Sequence, residues 1–394
     1  MWIRLISAFV AVALVVGLLL ALTQVHPATS ASSTSTTVAP RPALSLAAID
    51  FSSPLSGLGV FTGESPGSLT CKDYVGKSTN GGATFTSLVH AMSWNCASSD
   101  FSSSLTSDGH GNVFLYGPRL YVSHDDARTW SRDPQTESVW DVDAVGLSVW
   151  MIESKCALAD MVGPSSCPIR LLESTNGGRT WRQSLTVPQG SASGISSGAH
   201  GQSYLDRINR STAYLMLEPH SNFGGGPSVA PLWYTSDGGK TWSNRQVPCH
   251  IGALSSVFSV APGGALMAVC ASQPSAGSQT KSVLESTNGG RTWTLKTDSN
   301  INNGYLGAID LVSSSEAFLA GGRSSLLVTH DAGTRWRVVQ PLIGSTAGGT
   351  SQVIFFDASH GLVLGNNDND NENLTLWSTT DGGQHWTVEL PVAK

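Results

Sequence analysis

Seven copies of one eight-residue pattern, each preceded by strand-like runs, predict an all-β chain: a seven-bladed β-propeller of four-stranded antiparallel blades, with an N-terminal hydrophobic helix and a disordered linker. Composition points the same way. The 394 residues include 42 glycines, Trp outnumbers Tyr by 12 to 7, and only 13% are charged, so turns and short strands are favoured over helices. The net charge of −6 comes without a basic run, so the counterion release that drives nucleic-acid binding has no source, and nucleic acid is discounted as a partner.

The first element is an uncharged apolar run, Leu5 to Leu22, within residues 1–25. As a helix it spans about 27 Å, nearly the hydrocarbon thickness of a bilayer. Arg4 stands before it and no further positive charge occurs until Arg41, which predicts a cytoplasmic N-terminus and an extracytoplasmic remainder. The segment reads as a single-pass signal anchor holding the protein in the cell membrane. The alternative is a signal peptide cut near Ala28-Thr29-Ser30, which would release a secreted protein. Residues 26–43, rich in Ser, Thr, Ala and Pro, read as an extended linker.

All six cysteines lie beyond the linker, in a compartment where disulfides persist. Six allow 15 connectivities. Sequence order favours Cys71–Cys96, Cys156–Cys167 and Cys249–Cys270. No CxxC pair occurs and the ten histidines are scattered, so no metal site is expected.

Residues 44–394 carry the repeat. Aligned on the final aromatic, the copies read STNGGATF to Phe85, SHDDARTW to Trp130, STNGGRTW to Trp181, TSDGGKTW to Trp242, STNGGRTW to Trp293, THDAGTRW to Trp336 and TTDGGQHW to Trp386. The spacings are 45, 51, 61, 51, 43 and 50. Within the last unit, VIFFD, LVLGNN, LTLWST and WTVELPV are four strands, and the motif is the hairpin between the third and fourth. The acidic or amide residue of each copy (Asn80, Asp125, Asn176, Asp237, Asn288, Asp331, Asp381) accepts backbone N–H groups of its own turn, and glycine supplies a positive φ. The aromatic then offers its ring to a neighbouring blade. Ala127 alone puts a β-carbon where the glycine belongs, so the second copy is expected to be the most distorted.

These motifs resemble the Asp boxes, or BNR repeats, of a propeller family that includes sialidases, sortilin-type receptors, oligoxyloglucan-acting glycosidases and the photosystem II assembly-factor group. Seven blades with a box in each are most similar to the last, which implies a protein-binding scaffold. Sialidases have six blades and sortilin ten. The photosynthetic role itself is not implied, since propellers of this type need not share a partner.

All seven boxes fall on one face of such a fold, where a polar residue recurring seven times is a structural device. Sialidase chemistry would need arginine forks for a carboxylate, but Arg128, Arg179, Arg291 and Arg335 belong to boxes and the early RPALSLAAIDFSSP has no matching motif. A two-carboxylate glycosidase remains open, because Asp50, Asp143, Asp310 and Asp357 lie on or just after innermost strands. Capping a strand end is the plainer role for them. No phosphate loop, GxSxG or HExxH is present.

Function is therefore expected on the opposite face, whose second-to-third strand loops are long in blades 3, 4, 5 and 7. Candidate binding residues there are Asp160, His220, Asn222 and Phe223, with Asp368, Asp370 and Glu372 in the loop 366–373. That loop has the oxygen ligands Ca2+ favours but lacks the EF-hand glycine and terminal glutamate, so a solvated loop is favoured and no cofactor is expected. The expected activity is a monomeric, non-catalytic binding or assembly scaffold for a protein or glycan; the alternative is a carbohydrate-active hydrolase.

Overall fold

A computed structural model describes the chain from residue 44 to 393, apart from 65–67, 96–102, 135, 137, 155–168, 188–204, 218–226, 299–300, 302–303, 322–325, 340–349, 368–369 and 390–391. The expected N-terminal helix, the linker to residue 43, Cys96, Cys156 and Cys167 all lie outside the described residues. Among the described residues no helix is long and apolar enough to cross a membrane.

Seven antiparallel sheets follow one another. Blade 1 is β1 (Ser45–Phe51), β2 (Gly57–Glu64), β3 (Thr70–Ser78) and β4 (Thr84–Asn95). Blade 2 is β5 (Ser104–Ser107), β6 (Val113–Tyr116), β7 (Tyr121–Ser123) and β8 (Ser131–Arg132). Blade 3 is β9 (Ser138–Val145), β10 (Ser148–Ser154), β11 (Ile169–Ser174) and β12 (Arg182–Val187). Blade 4 is β13 (Leu205–Arg207), β14 (Ala213–Met216), β15 (Ser228–Thr235) and β16 (Ser243–Cys249). Blade 5 is β17 (Ala253–Val260), β18 (Leu266–Ser272), β19 (Lys281–Ser286) and β20 (Thr294–Asp298). Blade 6 is β21 (Ile309–Leu311), β22 (Ala317–Leu319), β23 (Leu326–Thr329) and β24 (Arg337–Val339). Blade 7 is β25 (Thr350–Phe355), β26 (Gly361–Asn367), β27 (Asp370–Thr379) and β28 (Thr387–Glu389).

The first strand of each blade contacts the first strands of both neighbours, and β25 meets β1, so the first strands line a closed ring. A last strand, β29 (Val392–Ala393), pairs in parallel with the outer edge of β4 and joins the C-terminal end of the chain to blade 1. Hydrophobic burial lies between blades: each of the seven apolar clusters spans one blade junction. Val60 and Leu115 share the cluster of blades 1 and 2, and Leu46 and Leu376 that of blades 7 and 1. A lone four-stranded sheet could not bury its second face, so the ring is what makes each blade stable.

The seven motifs are the third-to-fourth strand hairpins, and their geometry repeats. The first residue, Ser78, Ser123, Ser174, Thr235, Ser286, Thr329 or Thr379, is buried. Its hydroxyl donates to the carbonyl or carboxylate oxygen two positions on at 2.8–3.1 Å. It also accepts the N–H four positions on at 2.8–3.1 Å. The Asp or Asn oxygen in turn accepts the N–H four positions beyond itself at 2.8–3.1 Å. The hydroxyl is thus the buried centre of the box. The expected distortion of the second copy is absent: the Ala127 N–H reaches Ser123 Oγ at 2.9 Å because Ala127 adopts a φ of 64° like the glycines it replaces.

One expected disulfide is present: Cys249 on β16 and Cys270 on β18 are bonded, with Cα atoms 5.7 Å apart, and staple blade 4 to blade 5. Cys71 is disulfide-bonded too.

Candidate functional site: the axial carboxylates

The inner strands carry one polar position in register. It is occupied by Asp50, Thr106, Asp143, Asp206, Ser259 and Asp310, and by Ile354 in blade 7. These residues pair in turn with Leu58, Phe114, Trp150, Tyr214, Met267, Phe318 and Leu362 of the second strands. Each polar member reaches the backbone of the next blade. Asp50 Oδ2 accepts the Ser107 N–H at 2.7 Å, Asp206 Oδ2 that of Val260 at 2.9 Å, Ser259 Oγ that of Leu311 at 3.0 Å and Asp310 Oδ2 that of Phe355 at 2.6 Å. Asp143 takes the N–H of Arg207, and Thr106 donates its hydroxyl to the Val142 carbonyl at 2.9 Å. At the seventh junction, where Ile354 has no polar group, Gln352 from two positions earlier clasps Ile49: its Oε1 accepts the N–H at 2.8 Å and its Nε2 donates to the carbonyl at 3.1 Å. Asp141, in the same offset position, accepts the Leu205 N–H at 2.9 Å.

The electrostatics follow from this crowding of acids around one axis. Burial raises Asp206 to about 7, with Asp310 and Asp141 adding to the rise. Burial raises Asp310 to about 6 and also lifts Asp50. Asp143 is pushed well above the usual carboxylate range by burial, against the pull of Arg207. These side chains keep some contact with solvent yet stand among protein atoms on every side, so loss of hydration dominates. Arg207 is not a free carboxylate clamp: Nη1 donates to the Ser148 carbonyl at 2.8 Å, Nη2 to Ser148 Oγ at 2.9 Å, and the guanidinium lies 4.3 Å over the Trp150 ring. A cleft of about 510 Å3 opens beside Asp50 between blades 1 and 2, and the Lys77–Asp126 ion pair borders it.

Of the acids singled out in the sequence, Asp50, Asp143 and Asp310 therefore belong to one ring of blade-to-blade bonds rather than capping their own strands. Asp357 does not join them; it is exposed and accepts the N–H groups of Ser359 and His360 at 2.7 and 2.8 Å, forming an Asx turn. The sequence reading missed Asp206 and Asp141. The signal for Asp206 was present, in the recurrent apolar-Asp pattern of IDF, VDA, LDR and IDL shortly before the second strand.

The opposite rim is described only in part. Asp160, His220, Asn222 and Phe223 lie outside the described residues, as do the side chains of Asp368, Asp370 and Glu372. Among the described residues no cluster of His, Cys, Asp or Glu is arranged to hold a metal ion. The blade 5 loop, 271–281, is described and firmly pinned. Ser275 and Ser278 exchange backbone hydrogen bonds of 2.8 and 3.0 Å. The buried Gln279 donates to the Ser272 carbonyl at 2.8 Å and accepts the Leu306 N–H at 2.7 Å.

Residues 148–342 match the family described as BNR repeat-like domain. No curated protein sequence is significantly similar. Among solved structures, YCF48 bound to D1 peptide is similar with a TM-score of 0.56 at 17% identity, over 86% of this chain and 94% of that one. An ulvan lyase of a polysaccharide lyase family gives a TM-score of 0.48 at 8% identity, over 84% and 91%. An α-L-arabinofuranosidase of Fusarium graminearum, in complex with an iminosugar inhibitor, gives 0.45 at 14% identity, over 86% and 93%. The chain is thus a seven-bladed β-propeller of which residues 148–342 match a BNR repeat-like domain.

Proposed function

We propose that this propeller is a non-catalytic extracytoplasmic scaffold, tethered through Leu5–Leu22, that binds a protein partner on the rim opposite the boxes. The observation that carries this reading is the occupation of the axis: the polar side chains best placed to act on a substrate are spent on the backbone of the adjoining blade. A rigid ring with a pinned loop at Gln279 supports binding with little ordering cost. The solved propeller of similar fold that is bound to a peptide is compatible with it. The test places a photo-crosslinking residue at Gln273, in the exposed part of the blade 5 loop, and another at the exposed box residue Arg128, in the full-length protein in its membrane. A partner captured from Gln273 and not from Arg128 is the expected result. Equal capture from both positions, or from neither, would overturn the reading.

One observation favours a second reading. Asp206 near 7 and Asp310 near 6 retain protons close to neutral pH, as the acid of a glycoside hydrolase must. Hydrolysis of a glycan panel that is lost in both D206N and D310N would replace the scaffold with an enzyme.

A further inference from the structure

The ten residues LESTNGGRTW occur twice, as Leu172–Trp181 in blade 3 and Leu284–Trp293 in blade 5. The copies are identical in sequence, so a difference in their chemistry comes from the fold. Each contains an Asn-Gly pair, Asn176–Gly177 and Asn288–Gly289. Such a pair is prone to deamidation, because glycine has no side chain to shield its backbone nitrogen from the preceding amide carbon.

In six of the boxes the residue after the Asp or Asn donates its N–H, at 2.8–3.0 Å, to a carbonyl in the first-to-second strand turn of its own blade. Gly177 donates to Leu147 at 2.9 Å, and Gly81, of the pair Asn80–Gly81, to Leu55 at 3.0 Å. The fifth box is the exception: among the described residues nothing accepts the Gly289 N–H. The turns differ accordingly. In blade 4, Asn209 Oδ1 accepts the N–H groups of Ser211 and Thr212, and the Ser211 carbonyl takes the Gly238 N–H at 2.9 Å. Blade 5 places Pro262-Gly263-Gly264 there, with no side-chain oxygen to set the turn, and Gly264 bonds back to the Ala261 carbonyl at 2.8 Å. Asn288 is exposed and Gly289 half-buried, whereas Asn176 is half-buried and Gly177 buried.

The rest of the box polarises the amide. Asn288 Oδ1 accepts the Thr292 N–H at 3.0 Å and the Ser286 hydroxyl at 3.1 Å, so two donors meet the oxygen on which negative charge develops when Cγ is attacked. Asn176 has the same two donors, at 3.0 and 2.8 Å. The glycine N–H and its exposure are what separate the copies.

We propose that Asn288–Gly289 is a spontaneous modification site, at which the fifth box deamidates while Asn80 and Asn176 are protected. Hydroxide takes the Gly289 N–H proton, the nitrogen bonds to Asn288 Cγ, and the Cγ–Nδ2 bond breaks to release ammonia, which takes its proton from water. Water then opens the resulting succinimide at either carbonyl and leaves an aspartyl or an isoaspartyl residue at position 288. The aspartyl product fits the box: Thr292 Oγ1, which accepts from Nδ2 at 2.8 Å, need only turn to donate, as Thr129 and Thr241 do toward Asp125 and Asp237 at 2.6 Å. The isoaspartyl product adds a methylene to the main chain and breaks the box.

The identical copies supply the control. Full-length protein in detergent is held in mildly alkaline buffer, native and in urea, and tryptic peptides 171–179 and 282–291 are followed by mass spectrometry, with isoaspartyl methyltransferase labelling to identify the second product. A fourth pair, Asn303–Gly304, falls in another peptide, and its asparagine lies outside the described residues. In urea the two copies convert together. In the native protein peptide 282–291 converts about fivefold faster than 171–179, the scale of one backbone hydrogen bond. Grafting the blade 4 turn, Ile208 to Thr212, onto positions 261–265 brings Asn288 down to the rate of Asn176. Equal native rates at the two copies overturn the proposal, as does a native Asn288 that outlasts full conversion in urea, or a folded graft with the wild-type rate.

Discussion

Asp206 on β13 accepts the backbone N–H of Val260 on β17 through Oδ2 at 2.9 Å, joining the inner strands of blades 4 and 5. The carboxylate is held there at a cost, because burial raises its pKa to about 7. A group whose folded pKa stands above its ordinary 3.8 favours folding below that ordinary value and loses this contribution as pH rises through the folded one. Asp310, raised to about 6, acts in the same direction. Urea unfolding of the wild type should therefore show stability declining from about pH 4 to about pH 7. D206N/D310N keeps a carbonyl oxygen for each N–H but cannot ionise, so the decline should flatten and stability at pH 8 should equal or exceed that of the wild type. An unchanged slope would show that these two acids do not govern the alkaline limb.

The box was legible because everything it needs lies within eight residues. Spacing, glycine and the aromatic are local, and strand order followed from the period. The axial ring was not, because its bonds join residues 36 to 303 positions apart and depend on which backbone faces which side chain. Asp50 was noticed as an acid near an inner strand, but its acceptor role toward Ser107 appears only when two blades are set side by side. Blade 7 shows how a different residue can serve: Ile354 gives no hint of a polar contact, and Gln352, two positions away, supplies it.

Ser286 tests the buried centre of a box. Its hydroxyl accepts the Gly290 N–H at 2.8 Å and donates to Asn288 at 3.1 Å, and the residue is 1% exposed. Removing it in S286A strands a buried N–H, so unfolding free energy should fall by about 1–3 kcal/mol. S286T should be nearly neutral, because Thr235, Thr329 and Thr379 do the same work in three other boxes. Equal losses in both variants would point to packing rather than the hydrogen bond.

The acid limb should belong to the boxes. Asp125 and Asp237 are lowered to about 2, chiefly by hydrogen bonds from the Thr129 and Thr241 side chains. A carboxylate whose folded pKa lies below its ordinary value stabilises above that value and loses the contribution as pH falls through the folded one. Stability should thus drop between about pH 4 and pH 2. D125N/D237N, which copies the natural Asn80, Asn176 and Asn288 of the other boxes, should shallow that drop without moving the decline between about pH 4 and pH 7. Circular dichroism across the pH range reads both limbs; a variant as acid-sensitive as the wild type would assign the limb to other groups.

Two adjacent residues of the sixth box should respond in opposite senses. Ala332 holds a φ of 57° and Gly333 one of 86°, both in the left-handed region where a β-carbon crowds the following carbonyl. Ala332 is half-buried and carries that strain, so A332G should stabilise by about 1 kcal/mol, less what the more flexible unfolded glycine takes back. Gly333 has no such freedom: a β-carbon there would stand 2.7 Å from Val283 Cγ1 on blade 5, in the cluster that joins blades 5 and 6. G333A should therefore destabilise by more than backbone strain alone, as the junction opens to admit the methyl. Ala127 holds the same place in the second box with its methyl buried at 4% exposure, so a methyl here is accommodated at one junction and blocked at another. G333A combined with V283A should recover part of the loss in the same urea measurement, whereas additive losses would locate the damage in the turn itself.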